Sequence, residues 1–245
     1  MKRYKIKVSY DGTDYSGWQV QPNGITVQEK LESAVEKLTG EKTKIHGSGR
    51  TDQGVHARMQ VAHFDVATPF KVASLQKALN AILPADIRVN KIETANASFH
   101  ARRSAVSKEY RYFIWNAEIM PPFLRKYRTH ARKRLDVNAM NKAASQLLGR
   151  HDFAAFTATK NRQVEDTVRN LTRLKIMRRG PEVVIVAESE GFLYKMVRSL
   201  AGFLIRVGEG AVSPIEARNI LQSRIRTAKV PTAPPEGLFL WRVDY

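Results

Sequence analysis

The sequence KEYRYFIW, residues 108–115, alternates its side chains with the period of a β-strand. Tyr110 and Tyr112 share one face of the predicted strand, while Phe113 and Trp115 lie on the other. The pattern therefore predicts a strand with two aromatic faces near the middle of the chain.

Strands and helices are predicted on both sides of this strand. Before it, the pattern predicts a strand at 4–10, a helix opened by the capping box of Thr26 and Glu29 and closed by Gly40, a strand at 60–66, a helix at 74–83 and a strand at 87–93. After it, the pattern predicts a helix from Asp136 to Gly149, a hairpin of strands 171–178 and 183–189, a helix at 196–207, a short helix opened by a capping box of Ser213 and Glu216 with Pro214 in its first turn, and a strand at 238–243.

The two halves thus offer the same types of element in a similar order. This favours an α+β fold with two similar lobes and a largely antiparallel central sheet flanked by helices. We expect an N-terminal lobe of residues 1–105 and a C-terminal lobe of residues 106–245.

The chain carries a large positive charge. Of its 245 residues, 41 are Lys or Arg and 23 are Asp or Glu, which gives a formal net charge of +18. Such a surplus favours a nucleic acid partner, because phosphates match the field and release counterions on binding. A generally basic, solvated surface is the alternative interpretation.

The positive charge is concentrated in residues 102–134, which contain two acids, Glu109 and Glu118. The ten basic residues of this basic segment are Arg102, Arg103, Lys108, Arg111, Arg125, Lys126, Arg128, Arg132, Lys133 and Arg134. A basic stretch in the middle of the chain, with strand patterning, is more typical of a groove lining than of a flexible arm.

The chain contains no cysteine, which excludes disulfides, thiolate zinc sites, iron–sulfur clusters and a cysteine nucleophile. No apolar run reaches the roughly 18–20 residues that a membrane span needs. The first residues also lack the apolar core of a signal peptide. We therefore expect a protein of the reducing cytoplasm that has no membrane partner.

The segment HGSGRTDQGVHAR, residues 46–58, has three glycines within eight residues. Glycines at this density permit positive φ angles and a close approach of the backbone. Arg50 and Asp52 can both face one cleft from such a loop, with the arginine holding the carboxylate ionised. The alternative is a surface turn with a structural salt bridge. The loop lacks the Gly-Lys-Ser/Thr sequence of a phosphate loop and the spacing of a dinucleotide fingerprint.

Asp11, Asp14 and Asp52 together suggest a two-metal nuclease site, although Asp11 and Asp14 are also ordinary turn residues. The six histidines lack the spacing of a zinc hydrolase, so we interpret them as structural or RNA-facing. No serine lies in a nucleophile elbow. By elimination a lone aspartate is the best candidate nucleophile, and it needs no metal or other cofactor.

Two further residues each have two interpretations. Tyr110, flanked by cations on its strand, suits the stacking of an extruded base, but the same alternation gives a core tyrosine. Arg198, at the start of an apolar helix, is either exposed or the partner of a buried acid.

The motif GSGRTDQGVHA at 47–57 resembles the signature of the tRNA pseudouridine synthases of the A type. The resemblance continues along nearly the whole chain. Its further motifs are YDGT at 10–13, GWQ at 17–19, LN at 79–80, LP at 83–84, FHAR at 99–102, KEYRY at 108–112, GRHDF at 149–153, FLYKMVR at 192–198 and GLFL at 237–240. The sequence departs from the family pattern at Ser48 and Gln53, where alanine is frequent, and at Lys195, where histidine is common.

The resemblance implies a cofactor-free enzyme that isomerises uridine to pseudouridine in the anticodon stem-loop of tRNA. It implies a homodimer with an active-site cleft between two lobes. It implies that Asp52 is catalytic, that Tyr110 stacks on the substrate and that Arg50 displaces the base, and Arg198 is similar to the arginine that pairs with the catalytic acid. We expect tRNA to bind at Arg102, Arg103, Lys108, Arg111, Arg125 and Lys126.

Two other classes of protein fit parts of this pattern. A non-enzymatic RNA-binding protein would have the same charge and aromatic strands, but it would not need a carboxylate among cations that face phosphate. A metal-dependent nuclease would lose its activity to a chelator, whereas the isomerase would keep it.

Overall fold

The computed structural model describes residues 1–158 and 166–245 and divides the chain into two compact units. The first unit contains Met1–Val106 and Phe239–Tyr245, and the second contains Ser107–Leu238. The sequence prediction kept everything after residue 105 in one lobe. The structure differs at the C-terminal strand, since Phe239–Tyr245 belong to the first unit, where Phe239 lies opposite His56.

The strands, in chain order, are β1 (Lys2–Tyr10), β2 (His46–Gly47), β3 (His56–Val66), β4 (Ile87–Ala95), β5 (Ser107–Trp115), β6 (Thr129–His130), β7 (Gly149–Asp152), β8 (Val168–Arg179), β9 (Glu182–Ser189) and β10 (Leu238–Asp244). The helices are α1 (Val27–Thr39), α2 (Val72–Ile82), α3 (Val137–Ser145), α4 (Met196–Gly208) and α5 (Glu216–Ser223). Short 3-10 turns lie at Pro122–Leu124, Ala154–Phe156 and Pro235–Gly237.

The strands of the first unit follow the order β4-β1-β3-β10. Strand β1 is antiparallel to both of its neighbours, β2 is antiparallel to β3, and β10 runs parallel to β3. Tyr4, Ile6 and Val8 of β1 are fully buried, whereas Lys5 and Lys7 between them are half-buried. The alternation that predicted this strand therefore matches one face packed in the core.

The first helix begins where the sequence predicted. The Glu29 N–H donates to Thr26 Oγ1 at 3.3 Å, and the Thr26 N–H donates to the Glu29 carboxylate at 3.4 Å, which confirms the capping box. Gly40 ends α1 in the left-handed region, at φ 72°. These contacts satisfy backbone groups that the ends of a helix leave without partners.

The strands of the second unit follow the order β5-β9-β8-β7 and are antiparallel, while β6 pairs with β5 in parallel. The predicted hairpin is confirmed as β8 and β9. Helix α4 is buried along most of its length, as its apolar sequence predicted. The fold is therefore α+β with a largely antiparallel arrangement of strands, as expected.

Two predicted helix ends are wrong. Helix α3 ends at Ser145, where the Gln146 N–H donates to the Ala143 carbonyl at 3.2 Å and the Leu147 N–H donates to the Ala144 carbonyl at 3.0 Å, and Gly149 instead opens β7 at φ 95°. Helix α5 begins at Glu216 without a side-chain cap, because the Glu216 carboxylate accepts hydrogen bonds from Asn219 and Lys229 instead.

None of the helices in residues 1–158 and 166–245 is both long enough and apolar enough to cross a membrane.

A tight contact holds the segment after α5 against α4. A Cβ at Gly202 would lie 2.1 Å from the carbonyl oxygen of Pro231, a distance that requires the backbone to move. We expect Gly202→Ala to destabilise the protein by about 1–3 kcal/mol, the usual cost of overpacking. At Gly191, the matched control, a Cβ would lie 3.9 Å from Arg169 Nε and in ordinary contact. Urea unfolding should show a lower midpoint for Gly202→Ala only, and equal midpoints for the two variants would contradict the prediction.

Candidate active site

The loop that contains Arg50 and Asp52 connects β2 to β3 and is anchored by a buried polar pair. Ser48 Oγ donates to Gln60 Oε1 at 2.6 Å, and Gln60 Nε2 donates to the carbonyl of Gly49 at 2.9 Å. Ser48 and Gln60 are both fully buried. Since each polar group has its partner inside the protein, the pair fixes the backbone immediately before Arg50.

The same loop is held on its other side by Tyr10, the last residue of β1, and by the segment that follows β1. The hydroxyls of Tyr10 and Thr51 lie 2.9 Å apart, and the backbone N–H of Trp18 donates to the Thr51 carbonyl at 3.1 Å. Burial raises the pKa of the Tyr10 phenol, so this group stays neutral. The Gly54 N–H donates to the Tyr15 carbonyl at 3.3 Å. The residues on both sides of Asp52 are therefore fixed to the body of the first unit.

Two glycines allow this close packing. Gly17 lies at φ 95°, and a Cβ there would come within 2.5 Å of the Thr51 carbonyl oxygen. A Cβ at Gly12 would lie 2.0 Å from the Val55 carbonyl oxygen. The segment at 11–18, which contains both glycines, thus packs against the glycine-rich segment at 46–58 and supports the loop that contains Asp52.

Asp52 itself is half-buried and begins a turn, since its carbonyl accepts from the Val55 N–H at 3.1 Å. Arg50, two residues earlier, is exposed. The loop therefore carries a half-buried aspartate two residues after an exposed arginine.

Asp11 and Asp14, the other two aspartates of the suggested metal site, lie in turns. Asp11 Oδ1 accepts from the Thr13 N–H at 3.0 Å and from the Thr13 hydroxyl at 2.5 Å, and it lies 3.2 Å from His56 Nδ1. Asp14 is exposed. Within residues 1–158 and 166–245, no group of three or more histidine, aspartate or glutamate side chains is placed to hold a metal ion.

The other predicted site residues, Tyr110 and Arg198, lie in the second unit. Tyr110 stands on β5, is 8 % exposed, and meets the ring of Phe192 edge-on at 5.2 Å between centroids. Arg198 is half-buried in the first turn of α4, and its Nε donates to the Ala233 carbonyl at 2.7 Å. The Ala233 N–H donates back to the Arg198 carbonyl at 3.0 Å. Both side chains are thus oriented by their own unit.

The basic segment is divided between the two units. Arg102 and Arg103 are exposed residues of the first unit. In the second unit, Lys108 and Lys126 are half-buried and Arg125 is exposed.

Two other cations of the segment pair with acids. Arg111 Nε donates to the carboxylate of the buried Glu109 at 2.6 Å. Arg128 Nε likewise donates to Glu182 at 2.6 Å, and its guanidinium lies 4.3 Å from the centre of the Phe113 ring. The sequence suggested one continuous groove lining, but part of its charge is used to neutralise acids of the protein.

Sequence reasoning missed the residues that support the loop. The sequence patterns place Gln60 only in a strand, Tyr10 in a strand and a family motif, and Trp18 and Ser48 only in family motifs. One signal for Gln60 was available, because an uncharged polar side chain at a buried strand position needs an internal partner.

Comparisons with known proteins give a consistent result. A family model described as tRNA pseudouridine synthase matches residues 6–102 and 143–245. The tRNA pseudouridine synthase A of Brevibacillus brevis is 45% identical over 245 residues, which cover 100% of both chains. The tRNA pseudouridine synthase A of Halalkalibacterium halodurans is 46% identical over 243 residues, which cover 99% of this chain and 92% of that protein.

The support of the Asp52 loop by Gly17 can be tested by amide hydrogen exchange. We expect Gly17→Ala to push Thr51 away and to speed exchange of the Val55 N–H, which bonds to the Asp52 carbonyl. Gly40→Ala is the matched control, since Gly40 also has a positive φ of 72° but a Cβ there meets nothing within 4 Å. Both changes carry the backbone strain of about 1–2 kcal/mol. Equal protection of Val55 in the two variants would refute the role of Gly17.

Proposed function

The chain belongs to the tRNA pseudouridine synthase family, and we propose that it isomerises uridine in the anticodon stem-loop of tRNA with Asp52 as the catalytic carboxylate. Members of this family are enzymes that convert uridine of tRNA to pseudouridine. The observation that supports the catalytic assignment is the anchoring of the Asp52 loop, through Ser48 on one side and Thr51 on the other.

The reaction moves the uracil without adding or removing atoms. The bond between N1 and the ribose C1′ breaks, the base turns, and C5 bonds to C1′. The proton on C5 leaves, and N1 ends with a proton. A carboxylate can attack C1′, add to C6 of uracil, or act as a base toward a glycal intermediate. All three routes use the carboxylate in its ionised form and need it at a fixed distance from the nucleoside.

Rigid support suits an aspartate in this role. A catalytic group must be held within a fraction of an ångström of its working position by partners whose own conformations are locked. Thr51 is held by the Tyr10 hydroxyl and the Trp18 N–H, and Gly49 is held by buried Gln60. Asp52 therefore meets the nucleoside from a backbone that resists displacement.

The target base must leave its helical stack before the reaction, at a cost of a few kcal/mol. Arg50 is exposed, and its planar guanidinium can fill the gap that the base leaves. Tyr110 can stack on the extruded uracil through the part of its ring that remains accessible, and its edge-on contact with Phe192 fixes the ring plane. We assign Arg198 to substrate binding as well, since its contacts with Ala233 orient it.

Binding of tRNA is assigned to the basic segment, chiefly to its exposed members Arg102, Arg103 and Arg125, with Lys108, Lys126 and Arg111 contributing less. Phosphate contacts of this kind supply sequence-independent affinity that weakens with salt. Arg111 contributes least, because Glu109 already balances its charge at 2.6 Å.

The proposal also includes a homodimer and a cytoplasmic location, and it invokes no cofactor. The lack of cysteine fits a reducing compartment, and a tRNA substrate is found where translation takes place. A nuclease is not proposed, because Asp11 and Asp14 serve turns.

Asp52→Asn tests the catalytic assignment. The change should reduce tritium release from C5-labelled uridine in transcribed tRNA to background, because an amide is neither a nucleophile nor a base. The affinity for tRNA should stay nearly intact, since phosphate contacts supply most of it. Asp14→Asn, at an exposed turn of the same unit, should keep full activity. Substantial turnover by Asp52→Asn would remove Asp52 from the mechanism.

Arg50→Ala and Arg50→Lys test base displacement. We expect Arg50→Ala to slow single turnover strongly with a modest loss of tRNA affinity. Lysine should rescue poorly, because an ammonium carries the charge without the plane. If Arg50 were only the charge partner of Asp52, lysine would restore the rate, and the melting temperature would fall in step with activity in Arg50→Ala.

A further inference from the structure

Three histidine rings of the first unit form a cluster beside the basic pair Arg102 and Arg103. His46 of β2 and His63 of β3 face each other across the strands, with centroids 5.1 Å apart. His100, in the loop after β4, lies 4.7 Å from His63 and 5.7 Å from His46. His63 is 3 % exposed. His63 is therefore the buried member of the cluster, whereas His100 is half-buried and His46 is exposed.

Two of these rings hold the backbone of the turn that carries the arginines. His100 Nδ1 accepts from the N–H groups of both Arg102, at 3.1 Å, and Arg103, at 3.3 Å. His63 Nδ1 accepts from the Ala101 N–H at 3.2 Å. A ring nitrogen accepts a hydrogen bond only when it carries no proton, so this arrangement requires both histidines in the neutral form.

Other side chains hold the carbonyl groups of the same loop. The Arg3 guanidinium, itself paired with Asp65, donates to the carbonyls of Ala97 and Phe99. The Tyr245 hydroxyl donates to the Ala101 carbonyl at 2.7 Å. The loop is thus held by side chains, while the side chains of Arg102 and Arg103 project into solvent.

We propose that His100, supported by His63, is a positioning residue that fixes the Arg102–Arg103 turn for contact with tRNA phosphates. The proposal rests on the proposed tRNA-binding role of these two arginines. Arginine recognises phosphate through a fork of fixed geometry, so the orientation of its backbone decides how much of each contact is realised. Because the turn is already ordered in the folded protein, less conformational entropy is lost when tRNA binds.

Burial, together with the charges around the cluster, favours the neutral form of the two histidines. Burial lowers the pKa of His63 to about 4, with help from His100, Arg3 and His46 and with opposition from Asp65. Burial also lowers the pKa of His100, as do the neighbouring Arg103, His46 and Arg3. A histidine with a lowered pKa contributes to the free energy of folding. This contribution is complete above the unfolded pKa of about 6.5 and is lost as pH falls from there through the folded pKa.

The pH dependence of tRNA binding distinguishes this role from a simple electrostatic one. Histidines that only faced the RNA would gain charge in acid and tighten its binding. His63, whose pKa is about 4, stays neutral between pH 7.5 and 5.5 and keeps its hydrogen bond to the turn, so over that range tRNA binding should not tighten more than it does in His100→Asn.

The direct test is a mutant cycle on tRNA affinity, measured with purified full-length protein and transcribed tRNA. His100→Ala should raise Kd about fivefold, the equivalent of one neutral hydrogen bond of about 1 kcal/mol, and leave kcat at saturating tRNA unchanged. His100→Asn should restore affinity, because its Oδ1 can accept at the position of Nδ1 without titrating. In the Arg102→Ala/Arg103→Ala background, His100→Ala should have no further effect on Kd. His151→Ala, which removes a half-buried ring bonded to the Leu148 carbonyl in the second unit, is the control and should leave Kd unchanged.

Each contrary outcome has a separate meaning. An unchanged Kd for His100→Ala, or an effect that persists without the arginines, would overturn the positioning role. Failure of His100→Asn to restore affinity, or binding that tightens in acid more than that of His100→Asn, would do the same. Normal affinity of Arg102→Ala/Arg103→Ala would overturn the tRNA-binding role on which the inference rests, whereas the catalytic proposal would fail only through the Asp52 variant.

Discussion

The hydrogen bond between Ser48 and Gln60 is the constraint on which the candidate active site depends. It joins two fully buried side chains at 2.6 Å and lets Gln60 hold the backbone of the next residue, Gly49. A buried amide without partners would cost about 1–3 kcal/mol, so the bond selects one path for the loop. The proposed chemistry of Asp52 depends on that path, since a catalytic carboxylate must be held at a fixed position relative to its substrate.

Much of the fold was predictable because its causes are local. The alternation of Tyr4, Ile6 and Val8 and the capping box at Thr26 are short-range patterns, and both were predicted correctly. The predicted end of α3 and the predicted start of α5 were wrong. Gln146 ends α3 through a hydrogen bond of its backbone N–H, and Lys229 binds the Glu216 carboxylate that a capping box would have used. The return of β10 to the first unit is a long-range pairing that no local pattern reports.

The candidate site was predictable in a different way. The residue chemistry alone left several aspartates as candidates and did not exclude a metal site. Only the resemblance of whole motifs to a family singled out Asp52. The supports of the loop could not be predicted, because Tyr10 lies far from Thr51 in the sequence and contacts it only after folding. The same holds for the histidine cluster, whose rings come from three separate segments.

The pairing of β10 with β3 also constrains how the protein is made. The second unit, Ser107–Leu238, is inserted between two parts of the first, so a ribosome delivers all of it before the strand that completes the first unit. The ring of Phe239, 4.5 Å from that of His56, closes a contact that spans most of the chain. Such contacts form late and slowly. During synthesis, therefore, the whole inserted unit leaves the ribosome before the first unit receives its last strand.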